Sequence, residues 1–125
     1  MQYTFQDWLP DILGRESGND PNALFGFRNR GGQFGDTRVS EMTLDEVINF
    51  TRPSGPYAQS VKNQIGYVAT PTGLGQIVGQ TMRGMKDEMG LTGSEMYNED
   101  LQLAMAEQIY NRQGKNAWEA LHGMS

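Results

Sequence analysis

One glutamate is oddly placed in the segment RESGNDPNALFG, residues 15–26. Phe5, Trp8, Leu9, Ile12 and Leu13 recur at helical spacing, and Glu16 falls four residues after Ile12 and seven after Leu9. It therefore extends the apolar stripe instead of the solvent face. Apolar surroundings penalise the carboxylate form, and the negative end of the helix dipole in the last turn penalises it again. Both effects predict a raised pKa and an acid that still holds its proton near neutral pH, the condition for a general acid acting on, for example, a glycosidic oxygen. The same position also fits a glutamate at a frayed helix end, paired with Arg15, Arg28 or Arg30.

The elements that must position Glu16 are legible in part. The spacing predicts a helix over about residues 8–17, capped by Asp7 and stopped by Gly18, with Pro10 tolerated as its third residue. GNDPNA (18–23) is a turn, and LFGFRNRGGQF (24–34) alternates aromatic and polar positions around NRGG, which predicts a small β-hairpin. TLDE at 43–46 is a capping box for a helix with Leu44, Val47 and Ile48 inward, closed by PSGP at 53–56. Periodicity over 57–66 is weak, and ATPTG (69–73) is a turn. Val78, Met82, Met85 and Met89 form a third stripe, best read as core filler. TGSE at 92–95 and Asn98 offer caps for a helix over 98–113 carrying Leu101, Ala104, Met105, Gln108 and Ile109. Gly114 ends it, and a short last helix holds Trp118 and Leu121. The fold class expected is α+β, mostly α-helical, as one domain over 1–125.

Composition narrows the function. The chain has 125 residues, 37% hydrophobic, with a net charge of -5 and only ten scattered basic residues, so a counterion-releasing nucleic-acid surface is not expected. No apolar run reaches the ~18 residues of a membrane span, and the N-terminal stretch lacks the pattern of an export signal. Cysteine is absent, which removes disulfides, a thiolate nucleophile and cysteine metal sites. His122, the single histidine, has no second histidine for a ligand set and reads as a helix-end or surface residue. GNDPN lacks the spacing of a calcium loop, so no metal and no cofactor is expected.

Three segments carry a resemblance. ESGNDPNA at 16–23 resembles the active-site segment of the lytic transglycosylase and lysozyme-like superfamily, in which the glutamate ending a helix is the catalytic acid. TGLGQI at 72–77 is similar to that superfamily's glycine-glutamine motif, and AEQIYNRQG at 106–114 to its later tyrosine-asparagine segment. Two departures stand out: about fifty residues separate the first two motifs, as in phage lysozyme relatives, and Gly75 replaces a bulkier residue.

The resemblance implies a lysozyme-like fold, a helical body with a small β-hairpin lobe beside the cleft, and a peptidoglycan glycan strand as partner. It implies cleavage between N-acetylmuramic acid and N-acetylglucosamine at the bacterial cell wall, by an endolysin, a virion module or a bacterial enzyme, as a monomer or part of a larger assembly. Gln76 would bond an N-acetyl group or orient Glu16, and Tyr110 would face the sugar. Thr72 and Gly73 would shape the turn against the glycan. Outside the resemblance, Gln76 fits a polar first-turn residue and Tyr110 a core-edge aromatic. Glycoside cleavage usually employs two carboxylates. Asp36 is the best second candidate and Asp20 is nearer in sequence, though Asp36 also fits a plain turn residue. With one glutamate alone, the substrate's acetamido and C6 hydroxyl groups take over, giving a 1,6-anhydro product; attack by water makes the same site a lysozyme. A noncatalytic glycan-binding or structural virion protein of the same fold is the other class, and the acidic balance, pI near 4.7, speaks for it.

Overall fold

The computed structural model describes residues 5–113, and of Trp8, Ile12, Arg15, Glu16 and Gln113 the backbone alone. Gly114, Trp118, Leu121 and His122 lie outside the described residues. Five α-helices are described, α1 (Phe5–Ser17), α2 (Leu44–Phe50), α3 (Pro56–Ile65), α4 (Gly79–Glu88) and α5 (Glu99–Gln113), with three 3-10 turns between α1 and α2. The class is mostly α. Extended pairing among the described residues is confined to the isolated bridges Leu24–Thr72, Thr43–Met96 and Thr72–Ile77.

α1 starts earlier than its caps suggested. Asp7 lies in its first turn and Pro10 inside it, where the ring removes the hydrogen bond to the Gln6 carbonyl. Gln6 and Pro10 are both exposed, so water can take that carbonyl. Phe5 is buried and Leu9 packs against the core, which seats these two members of the expected stripe on the body.

The hairpin expected over 24–34 is not formed; Phe25–Arg30 and Gly32–Phe34 are 3-10 turns. Gly26, Phe27 and Gly32 take φ values of 62°, 57° and 72°, which no extended strand accommodates. The backbone donors there also go elsewhere, Leu24 N–H to Asn29 Oδ1 and Phe25 N–H to Tyr57 Oη. The aromatic alternation thus marks which rings turn inward: Phe34 is buried, and Phe27 is exposed.

The capping box of α2 is present, with Thr43 and Glu46 bonding each other's backbone N–H, and Leu44 and Val47 are fully buried. α3 is better defined than its periodicity promised, because Pro56 pre-sets its first turn and Gly66 closes it in the left-handed region. It buries Tyr57, Ala58 and Val61. On α4, Met82 and Met85 are buried and Met89 packs at the core edge, whereas Val78 is the partly exposed N-cap.

TGSE does not open a helix. Its carbonyls instead meet the start of α2, Glu95 O accepting from Leu44 N–H at 2.8 Å and Gly93 O from Asp45 N–H at 2.9 Å. Orphan donors at a helix start require acceptors, and here a distant turn supplies them. α5 is capped by Asn98, whose Oδ1 accepts from Leu101 N–H. Its inward face is Gln102, Met105, Ala106 and Ile109, while Ala104 is exposed. One core cluster draws on all five helices through residues such as Phe5, Val47, Tyr57, Met82 and Met105.

Candidate functional site

Glu16 is the last residue but one of α1. The helix end around it is tied off tightly. Ser17 is fully buried, and its hydroxyl donates to the Leu13 carbonyl at 2.9 Å. Asn19 N–H donates to the same carbonyl at 3.0 Å, and Gly18 N–H to Gly14 O at 3.1 Å. Gly18 and Asn19 both have positive φ, 62° and 64°, so the chain reverses directly after Glu16. The Glu16 side chain lies outside the described atoms.

Asp20 is engaged in the turn that follows. One of its oxygens accepts from Asn22 N–H and the other from Asn29 Nδ2, each at 2.9 Å. Asn29 is itself buried and returns its Oδ1 to Leu24 N–H. This network holds residues 20–29 in place and commits both Asp20 oxygens. Asp36 is exposed in the turn after Phe34.

The glycine-glutamine loop lies against the glutamate segment. Thr72 and Ile77 exchange backbone hydrogen bonds at 2.9 and 3.0 Å, closing a loop over 73–76. Thr72 is fully buried and its hydroxyl bonds Ile77 O and Tyr97 Oη, so it latches the loop from beneath. Gly73 N–H donates to Ala23 O at 2.9 Å. Gln76 Nε2 donates to the same Ala23 carbonyl at 3.0 Å and to Gly73 O at 2.8 Å. Two carbonyl partners fix the orientation of that amide, since only its nitrogen can donate. Gln76 Oε1 accepts none of the hydrogen bonds described.

Two side chains that the sequence reading did not single out hold this arrangement. Gln102 on α5 accepts from Leu74 N–H at 2.8 Å and donates to Pro21 O at 3.0 Å and Tyr97 O at 2.8 Å. It therefore joins the glutamate segment, the glycine-glutamine loop and α5. Its spacing of three, four and seven residues before Met105, Ala106 and Ile109 was the available signal, a polar residue on the buried face. Tyr57 accepts from Phe25 N–H and donates to Pro71 O, pinning the 3-10 segment to the start of the loop. Burial pushes its phenol well above the usual range, so it stays a neutral donor.

Tyr110 is placed differently from the other candidates. Its ring meets Phe5 with centroids 5.5 Å apart. Phe5 opens α1 and Glu16 nearly ends it, some 16 Å along a helix of this rise. The described contact of Tyr110 thus ties α5 to the start of α1.

Among the described residues no three His, Asp or Glu side chains converge as a cation site, and no helix is long and apolar enough to cross a membrane. Compared with family models, curated proteins and solved structures, the chain finds no match.

Proposed function

We propose that this chain is a peptidoglycan-cleaving enzyme of lysozyme-like fold, acting at the bacterial cell wall with Glu16 as general acid and base. The observation that carries the reading is the Ala23 carbonyl, which receives both Gly73 N–H and Gln76 Nε2. Through it the glutamate segment and the glycine-glutamine loop, separated by 53 residues at the Gln76–Ala23 bond, are joined directly.

In this reading Glu16 gives its proton to the glycosidic oxygen as the bond to the anomeric carbon breaks. The muramic acid's acetamido oxygen supports that carbon. The Glu16 carboxylate then takes the proton of the C6 hydroxyl as its oxygen closes a 1,6-anhydro ring, which restores the acid. Gln76 Oε1 is suited to accept the N–H of an acetamido group, since its amide nitrogen is already held by two carbonyls. Asp20 is not free to serve as a second carboxylate, since both of its oxygens are engaged in the turn, and the single-glutamate route asks nothing of the exposed Asp36. Water attacking in place of the C6 hydroxyl gives lysozyme products from the same residues.

Turbidity of purified sacculi tests this. The protein should clear them and Glu16→Gln should be slower by ~100-fold or more, the contribution of a positioned acid. Equal lysis by both removes Glu16 from the chemistry, and lysis by neither turns the reading to a glycan-binding or virion structural role. Mass spectrometry of the fragments separates anhydro ends from reducing ends.

A further inference from the structure

Within residues 24–34, Phe27 is the ring the fold turns outward. It is 42% exposed, while Phe34 of the same segment is buried. Its φ of 57° follows one of 62° at Gly26. Two successive left-handed residues aim the ring away from the core, and for a bulky residue that conformation is disfavoured. Strain of this kind persists where surrounding structure enforces it and concentrates at ligand sites. The enforcing contacts are visible: Phe27 N–H donates to Leu24 O at 2.9 Å, and Leu24 N–H is held by the buried Asn29.

Arg30 completes the feature. Its guanidinium carbon stands 4.1 Å from the Phe27 ring centroid, a cation–π stack that stiffens both side chains. The same guanidinium borders Gly18, with a terminal nitrogen 3.7 Å from where a β-carbon on that glycine would lie. The stack therefore abuts the turn that begins two residues after Glu16. An outward aromatic face carries the C–H face of a pyranose, and a planar guanidinium matches a carboxylate through paired N–H donors. In a chain of net charge -5, a cation fixed at this edge selects for an anionic group on the ligand.

We propose that Phe27 and Arg30 form a binding platform for a carboxylate-bearing N-acyl sugar, the ring stacking on Phe27 and the carboxylate pairing with Arg30. The inference rests on the peptidoglycan reading above and narrows it to strand whose muramic acid carries a free lactyl carboxylate, that is, strand from which the stem peptide has been removed, since the amide to that peptide otherwise consumes the carboxylate.

The test measures binding of a N-acetylglucosamine/N-acetylmuramic acid tetrasaccharide and of the neutral N-acetylglucosamine tetramer by calorimetry, in the full chain carrying Glu16→Gln to prevent turnover. Adding Phe27→Ala should weaken both ligands, and Phe27→Trp should restore them. Adding Arg30→Gln should weaken the muramic ligand roughly tenfold, the loss of one charge-assisted contact, and leave the neutral tetramer unchanged. Unchanged affinity for both ligands in both variants overturns the platform, as does equal loss of both ligands in Arg30→Gln. Absence of binding by the Glu16→Gln parent also overturns it. Lysis of sacculi by the unaltered protein, measured alongside, shows in each case whether the catalytic reading survives that result.

Discussion

The carboxamide of Gln102 fills the space that any side chain at position 73 would need, since a β-carbon on Gly73 would collide with Gln102 Oε1 and Cδ. Gly73 also has φ of 74°, so the loop's conformation and its neighbour demand glycine independently.

Gly73→Ala should therefore destabilise the protein by about 2 kcal/mol or more, combining left-handed strain with displacement of a buried hydrogen-bonded amide. Urea denaturation measures it. A midpoint equal to that of the parent would show that the loop and α5 are not in the described contact.

Tyr57→Phe removes one hydroxyl and leaves two backbone groups, Phe25 N–H and Pro71 O, without their partner. The expected cost is about 1–3 kcal/mol. Amide exchange at Phe25 should accelerate at the same time, which hydrogen-exchange NMR reads directly; unchanged protection there counts against the pin.

Acid should loosen the turn at 92–95. Backbone N–H of Thr92 first, then further donors including Gly93 N–H and the Thr92 hydroxyl, hold the Glu95 carboxyl down to about 2 from its ordinary value of 4.5. A folded-state pKa below the unfolded one means the contribution is complete above the unfolded value and is lost as pH falls toward the folded one. Melting temperatures of the parent should thus drop more steeply between about pH 5 and pH 2 than those of Glu95→Gln, and the two should converge at the acid end. Parallel curves would contradict the assignment.

Gly84 sits in the interior of α4, exposed, with nothing within 4 Å of an added β-carbon. Gly84→Ala should stabilise by about 0.5–1 kcal/mol through the unfolded chain's lost freedom. Calorimetry should register a melting point higher by a few degrees.

What the sequence disclosed was governed by the range of the interactions. The capping box at 43–46 and the stop at Gly18 involve partners within a few residues, and the methionine stripe of α4 follows its own period; all three stand as read. The hairpin reading failed because the donors of Leu24 and Phe25 answer to Asn29 and Tyr57, and because Phe27 takes a conformation its type does not advertise. TGSE has the letters of a helix cap, but the helix start its backbone serves is that of α2. Of the candidate site, Gly73 and Gln76 stand against the glutamate segment, whereas the described contact of Tyr110 lies at the other end of α1. Gln102, which does reach that segment from α5, carries no motif, since its value lies in partners 28 and 81 residues away.

That last bond sets an order in time. A ribosome delivers Pro21 long before Gln102, yet the two must meet across 81 positions for α5 to brace the junction of residues 21–23 and 72–76. Local helices can form while synthesis continues, but loop closure over such a span comes late. A nascent or truncated polypeptide lacking α5 would have only the Ala23 contacts and the Leu24–Thr72 bridge to hold the two segments together.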